Sequence, residues 1–251
     1  MTEYYTLVRE YPIACKRFVP DNGIVERVIL AVHGFGGSKE SGAITKLAET
    51  MLGEQTALIC FDLPAHGQSE AEGDVLSVKN AAADLCTMIA HTEALYPQAD
   101  KTVFATSFGG FLSLLCAEKL SAWRMVLRAP AVTMPDILLP NVLRLTQEQF
   151  RQLGEVVCPF ARPIRLRYEC YEELCACGER AMKAQRPMLI LHGDGDEVVP
   201  LCDVEAYVRS HPFAKLRVIE GANHRFQADG VLDRAIGYAK QYIFNGWEES
   251  V

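Results

Sequence analysis

Basic residues are too few to dominate this sequence: 25 Lys and Arg stand against 32 Asp and Glu, a formal net charge of -7 over 251 residues. Nucleic acid and anionic membrane both select for basic surface, so neither is expected as a partner. Long apolar runs are missing too. The most hydrophobic stretches, such as 28–32 and 188–191, are strand-sized and far shorter than a bilayer span, so no membrane insertion is expected. The opening MTEYYTLVRE has no basic region followed by an apolar segment and does not read as a signal peptide. The nine cysteines are odd in number and scattered, and several sit inside apolar runs, as Cys60 does in ALICFDL and Cys116 in LSLLCAEKL. That pattern argues against a disulfide framework and for free thiols in a reducing compartment, so a cytoplasmic location is expected.

What is present is ordinary for a soluble globular chain: 49% hydrophobic and 23% charged residues, with length enough for one large α/β domain or one domain with a small insertion. Segments 4–9 and 13–19 alternate as edge strands do, with Asp21-Asn22-Gly23 as a turn. Buried strands and helices then take turns. VERVILAVH, TALICFDL, KTVFATS and WRMVLRAP predict strands, separated by helices over 39–52, 81–95 and 108–120. The rhythm resumes with PMLILHGDGD, a helix over 201–210, the strand KLRVIEG and a last helix over 231–244. Near-continuous apolar strands separated by helices predict an α/β fold with a mainly parallel central sheet flanked by helices.

The alternation breaks over 131–186, which carries prolines at 135, 140, 159 and 163, short helical patches and no clear buried strand. One reading is a long irregular connection. Unstructured loops of that length are uncommon in compact domains unless they act as lids or binding elements. The expectation is therefore a small helical cap over 131–186, inserted after a sheet strand, on a core made of 1–130 and 187–251.

The strongest chemical signal is Ala105-Thr106-Ser107-Phe108-Gly109-Gly110, set between a strand and a helix. A serine on such a sharp turn must take strained backbone angles, and small residues two positions to either side, here Ala105 and Gly109, let the turn close. A serine hydroxyl is a poor nucleophile until a neighbouring base, itself oriented by a third group, takes its proton. His224, in GANHRF between the last strand and the last helix, is the candidate base. Asp196, in LHGDGDEVVP just past a buried strand, is the candidate acid; Asp194 competes for that role and otherwise forms a turn. An oxyanion needs donors fixed in advance. The backbone N–H of Phe108, directly after the serine, is one candidate, and that of Phe35 in the glycine-rich loop HGFGGSKES is the second. That loop could instead cradle a phosphate, but it lacks both the Gly-Lys-Ser/Thr ending and the GxGxxG spacing.

The set HGFGG, FDLPAHGQS, ATSFGG, HGDGDEVVP and GANH resembles the α/β-hydrolase superfamily over nearly the whole chain outside the cap. It is similar in particular to compact bacterial carboxylesterases, including the cinnamoyl/feruloyl esterase-like group, and to serine aminopeptidase-like hydrolases. The resemblance implies a triad of Ser107, Asp196 and His224 in this fold's chain order, with Phe35 and Phe108 as oxyanion donors. FDLPAHGQS departs from the family's loop at Pro64-Ala65, where a glycine is replaced. That loop is structural in the family, and His66 reads as a loop histidine. The cinnamoyl esterase likeness also suggests Asp136 and Tyr168 as cap residues that meet a phenolic hydroxyl.

His33 and His192, each before a glycine at a strand end, are expected to hydrogen-bond locally, and His91 and His211 to lie on helix surfaces. Cys170, Cys175 and Cys177 cluster in the cap without zinc-knuckle spacing or a nearby histidine, so no metal and no cofactor is expected. Arg162, Arg165 and Arg167 could draw in an acidic or aromatic-acid ester, but a solvated face with packed stems is the favoured reading. The predicted function is a serine carboxylesterase acting on a small or medium acyl ester. An aminopeptidase-like amidase or acyl-thioesterase uses the same machinery, and a ligand-binding member without turnover is the reading from another class. A homodimer stays open.

Overall fold

The structure, a computed structural model, describes residues 1–71 and 76–246. Two strands, β1 (Thr2–Val8) and β2 (Pro12–Phe18), form an antiparallel hairpin at one edge. The strands β3 (Arg27–Val32), β4 (Thr56–Phe61), β5 (Asp100–Thr106), β6 (Arg124–Arg128), β9 (Met188–Gly193) and β10 (Ala214–Ile219) pair in parallel with one another. The sheet order is β1-β2-β4-β3-β5-β6-β9-β10, with β2 antiparallel to β4.

This is the α/β architecture the alternation predicts. β4 is buried at every position and β3 at all but its first, as strands covered on both faces must be. Helices α1 (Gly42–Met51) and α8 (Val231–Asn245) cover one face. Helices α2 (Val78–Leu95), α3 (Phe108–Leu115) and α7 (Leu201–Ser210) cover the other. The predicted helix over 108–120 stops early because Cys116 (φ -96°, ψ 13°) opens the last turn, and single turns carry the chain to Leu120. Among the described residues no helix is long and apolar enough to cross a membrane.

The chain leaves β3 towards β4 on one side and returns to β5 on the other. The sheet therefore reverses its winding between β3 and β5, and a crevice opens at their carboxyl ends, where open α/β sheets bind ligands. The loops after β3 and β5 are those carrying Phe35 and Ser107.

Between β6 and β9 lie α4 (Met134–Ile137), a π-helical turn over Leu138–Leu143, α5 (Gln147–Leu153), β7 (Glu155–Cys158), β8 (Ile164–Arg167) and α6 (Tyr168–Met182). Helices dominate this segment, but β7 and β8 form a separate two-stranded antiparallel sheet that the sequence reading does not contain. Both strands are four residues long, too short to register as a period beside nearby prolines.

One buried ion pair fastens the loops beneath the crevice. Lys39 Nζ lies 2.6 Å from Asp62 Oδ2 and 2.8 Å from Gln68 Oε1, while Asp62 also accepts from the backbone N–H groups of Lys39 (2.7 Å) and Gln68 (2.8 Å). The two charged side chains are 1% and 0% exposed. Each carboxylate oxygen has a donor, so removing one partner strands the other. Asp62→Ala should cost about 3–5 kcal/mol, read as a lower urea midpoint with an unchanged slope. A loss below about 1 kcal/mol, the worth of an exposed pair, would show that the ammonium finds water instead.

Candidate active site

Ser107 occupies the turn between β5 and α3 with φ 50° and ψ -113°, angles an L-residue adopts only under constraint. Its N–H donates to Arg128 O (3.0 Å), and its carbonyl accepts from Phe111 N and Ala131 N (both 3.1 Å). A side chain at Gly109 would put its Cβ 2.5 Å from His33 O, so only glycine lets α3 sit this close to β3. Ala105 is fully buried two residues before the serine.

Three side chains from separate loops meet above the sheet. His224 Nε2 lies 3.0 Å from Ser107 Oγ, and His224 Nδ1 lies 2.8 and 3.0 Å from the two oxygens of Asp196. The Asp196 side chain is fully buried, and its Oδ1 also accepts from Val198 N (2.9 Å) and Val199 N (2.8 Å). Burial alone would raise this carboxyl. The His224 hydrogen bond, the nearby imidazoles and the Val199 N–H outweigh that and hold it below the ordinary carboxylate range. Asp194 points elsewhere and accepts from Gly221 N (2.8 Å), fastening the turn before His224. A hydroxyl, an imidazole and a carboxylate in this chain of contacts can pass a proton from oxygen to nitrogen while the carboxylate fixes the tautomer.

Phe108 is the first residue of α3 and Phe35 lies in the turn closed by Gly37 N to Gly34 O (3.0 Å). Neither backbone N–H has an acceptor among the described residues. A Cβ on Gly34 would lie 3.1 Å from Ser107 Cβ, so the two loops are in contact. Gly36 has φ 76° and faces the Phe160 ring 2.4 Å from where a Cβ would stand, which leaves no room for a side chain.

The profile of the serine aminopeptidase, S33 family matches residues 23–161, more than half of the chain. The chain is an α/β-hydrolase of that family. No curated protein matches the hydrolase in sequence. Among solved structures, Est1E from Butyrivibrio proteoclasticus with ferulic acid bound superposes with a TM-score of 0.84 at 21% identity, over 95% of this chain and 97% of that one. Alpha/beta hydrolase domain-containing protein 10 from mouse gives 0.72 at 20% identity over 96% and 98%. An alpha-beta serine hydrolase homologue from Coxiella burnetii gives 0.66 at 20% identity over 94% of each chain. At these identities the likeness is one of fold.

Two cavities open from Ser107 and His224. One, of about 610 Å³, runs under the inserted segment between Phe35, Ile137, Leu143, Leu145, Val156 and Phe160. The other, of about 770 Å³, is lined by the glycine-rich loop, Arg128, Arg225 and the loop after His224. Asp136 and Tyr168 line neither cavity. Asp136 is exposed on α4, and the Tyr168 hydroxyl accepts from Gln147 Nε2 (3.1 Å) while its ring packs on Phe150. The inserted segment instead gives the cavity beside the serine a mostly aliphatic and aromatic wall, from Met134 and Ile137 to Val156 and Phe160, that no motif marks.

The other histidines divide. His33 accepts from Leu63 N (3.0 Å) and donates Nδ1–H to Gly34 O (2.8 Å), and His192 donates to Val199 O (2.9 Å), so both bond locally as expected. Burial pushes both down, which keeps them neutral. His66 is a loop histidine but a fully buried one, pushed down to about 3 by burial and by His33, with its ring against Phe35. Ala65, in the Pro64-Ala65 step of that loop, takes φ 62°. His211 does not lie on a helix surface. It is 4% exposed, stacked on Tyr207, with a carbonyl 2.7 Å from each nitrogen. His91 is half-buried against Tyr5 rather than exposed. Periodicity places both on helix ends or faces, and tertiary packing covers them.

Arg162 lines neither of these cavities. Its guanidinium donates to the carbonyls of His66, Gly67, Ser69 and Ala71 at 3.2, 3.2, 2.6 and 3.4 Å, tying the inserted segment to the loop after β4. Arg165 pairs with Glu155 on the exposed face of the hairpin. Among the described residues no three His, Cys, Asp or Glu side chains are grouped to hold a metal ion.

Because the folded value of Asp196 lies under the unfolded one, its carboxylate adds stability that is full above about pH 4 and is lost as pH falls through the folded value. A carbon-detected NMR titration of this carboxyl should give a midpoint below the ~3.9 of a free aspartate. A midpoint above that value would mean that burial wins over the His224 contact.

Proposed function

We propose that the hydrolase is a serine carboxylesterase cleaving small or medium carboxylic esters through an acyl-enzyme on Ser107. The observation that carries this reading is the 3.0 Å approach of His224 Nε2 to Ser107 Oγ, with Asp196 on the far nitrogen. Ser107 Oγ attacks the ester carbonyl as His224 takes its proton. The Asp196 carboxylate accepts the Nδ1–H and stabilises the imidazolium, while the N–H groups of Phe35 and Phe108 hold the oxyanion. Collapse of the tetrahedral species expels the alcohol, which leaves with the proton from His224. Water then attacks the acyl-enzyme with His224 as base, and the free acid departs.

Residues 131–186 act as a cap whose inner wall takes the apolar part of the substrate. Support comes from the cavity lining and from the fold shared with Est1E, whose structure holds ferulic acid. The family's description speaks for amide cleavage at a free amino terminus. An ammonium needs a carboxylate beside the scissile bond, and the cavity walls at Ser107 carry Arg128 and Arg225, with Asp229 as the sole acidic lining residue among those described. That charge balance favours the ester reading over the aminopeptidase one. The free thiols, several of them buried, fit the cytoplasm.

A fluorophosphonate probe should label Ser107, and Ser107→Ala should lower kcat/KM on p-nitrophenyl acyl esters by about 10⁴-fold or more. Aminoacyl-anilides and acyl-thioesters, assayed side by side, should turn over more slowly. An unlabelled Ser107, or tight ligand binding with no hydrolysis of any acyl substrate, would overturn the proposal.

A further inference from the structure

Arg128 is an anomaly of burial. It is the last residue of β6 and 7% exposed, at the end of a strand whose interior is Met, Val and Leu. Its guanidinium makes two hydrogen bonds at the long end of the range: Nε to Thr106 Oγ1 (3.4 Å) and Nη1 to His224 O (3.3 Å). It lies 4.8 Å from the centre of the Phe226 ring. The remaining N–H donors have no acceptor, and the side chain forms no ion pair, among the described residues.

Among the described residues Asp196 is the one carboxylate that acts on Arg128 electrostatically, and its oxygens are already taken by His224, Val198 and Val199. Burial accordingly pushes the guanidinium down to about 10. A buried cation with so little compensation is costly to keep, and a guanidinium fork suits a planar anion bound through two parallel bonds. The second cavity is where such an anion can reach it. Arg225, exposed and without an ion pair among the described residues, is the second cation lining that cavity, and Asp229 is its one acidic residue among those described.

We infer that the second cavity binds a carboxylate of the substrate. The hydrolase then acts on molecules with an anionic end at Arg128 and an apolar end in the first cavity, with the scissile bond between them at Ser107. This rests on the proposed function for the position of the scissile bond, and on Arg128 and the cavity alone for the anion. A single buried guanidinium with one exposed helper, and one carboxylate in the same lining, matches a singly charged group.

Calorimetric titration of the full-length Ser107→Ala variant tests it without turnover. One ligand pair is N-octanoyl-4-aminobenzoate against N-octanoyl-4-aminobenzamide, which puts the charge on the leaving-group side. The other is N-octyl-terephthalamate against N-octyl-terephthalamide, which puts it on the acyl side. The carboxylate member of at least one pair should bind about tenfold more tightly. In Ser107→Ala/Arg128→Met that gap should close while the neutral member keeps its affinity within about twofold, whereas a mere brace for the His224 loop would weaken both members alike. Equal affinities within both pairs, no measurable binding by any member, or a gap that survives Arg128→Met would overturn the inference. The comparison in the Arg128-bearing protein stands even if Arg128→Met fails to fold. A labelled Ser107 with no gap defeats this inference alone, and an unlabelled Ser107 with a tenfold gap defeats the esterase reading alone.

Discussion

A residue held at φ 50° and ψ -113° costs of order 1–3 kcal/mol, and the hydrolase holds Ser107 there with bonds from three directions. The end of β6 fixes its N–H, the start of the inserted segment and the first turn of α3 share its carbonyl, and Gly109 lets α3 close against β3. The rest of the site is positioned relative to that turn. The hydroxyl rises above the carboxyl ends of β3 and β5, in the crevice where the winding reverses. The neighbouring N–H of Phe108 is left without a helical acceptor because it opens a helix.

Charge is distributed around the site by burial as much as by pairing. His33, His66 and His192 are all deep enough to stay neutral, so each serves as a fixed hydrogen-bonding group. His33 clamps the glycine-rich loop to the loop after β4, and His192 backs the Asp196 turn. Against these neutral groups stand the Lys39–Asp62 pair, with a donor on each carboxylate oxygen, and the Asp196 carboxylate, satisfied by backbone and imidazole. Arg128 is the exception, a cation with two long bonds and an open side.

Much of this was legible in the sequence. Apolar strands alternating with helical segments predicted the parallel sheet, and small residues around Ser107 predicted the turn. Both readings work because they depend on local patterns. The position of Asp196 relative to Asp194 was not decided locally, since both lie in one turn and only tertiary contacts separate their roles. The β7–β8 hairpin, the burial of His211 and the apolar wall of the first cavity were equally invisible, being set by packing between distant segments. Arg128 did carry a signal. A cation at the end of a strand otherwise fit for burial on both faces is a cost that some partner must offset, and WRMVLRAP displays it. Arg162 shows the converse: its role as a tether depends on carbonyls more than ninety positions away, which no reading of neighbours reveals.

Among the described residues the two-stranded sheet of β7 and β8 pairs with no other strand, yet Val156, Cys158 and Phe160 stand in the wall of the cavity beside the serine. Residues there can be exchanged without disturbing any hydrogen bond of the main sheet. Val156 and Phe160, half-buried at the rim of the core, are thus the positions where a change of side chain reshapes the cavity wall and leaves the backbone pairing of the main sheet as it is.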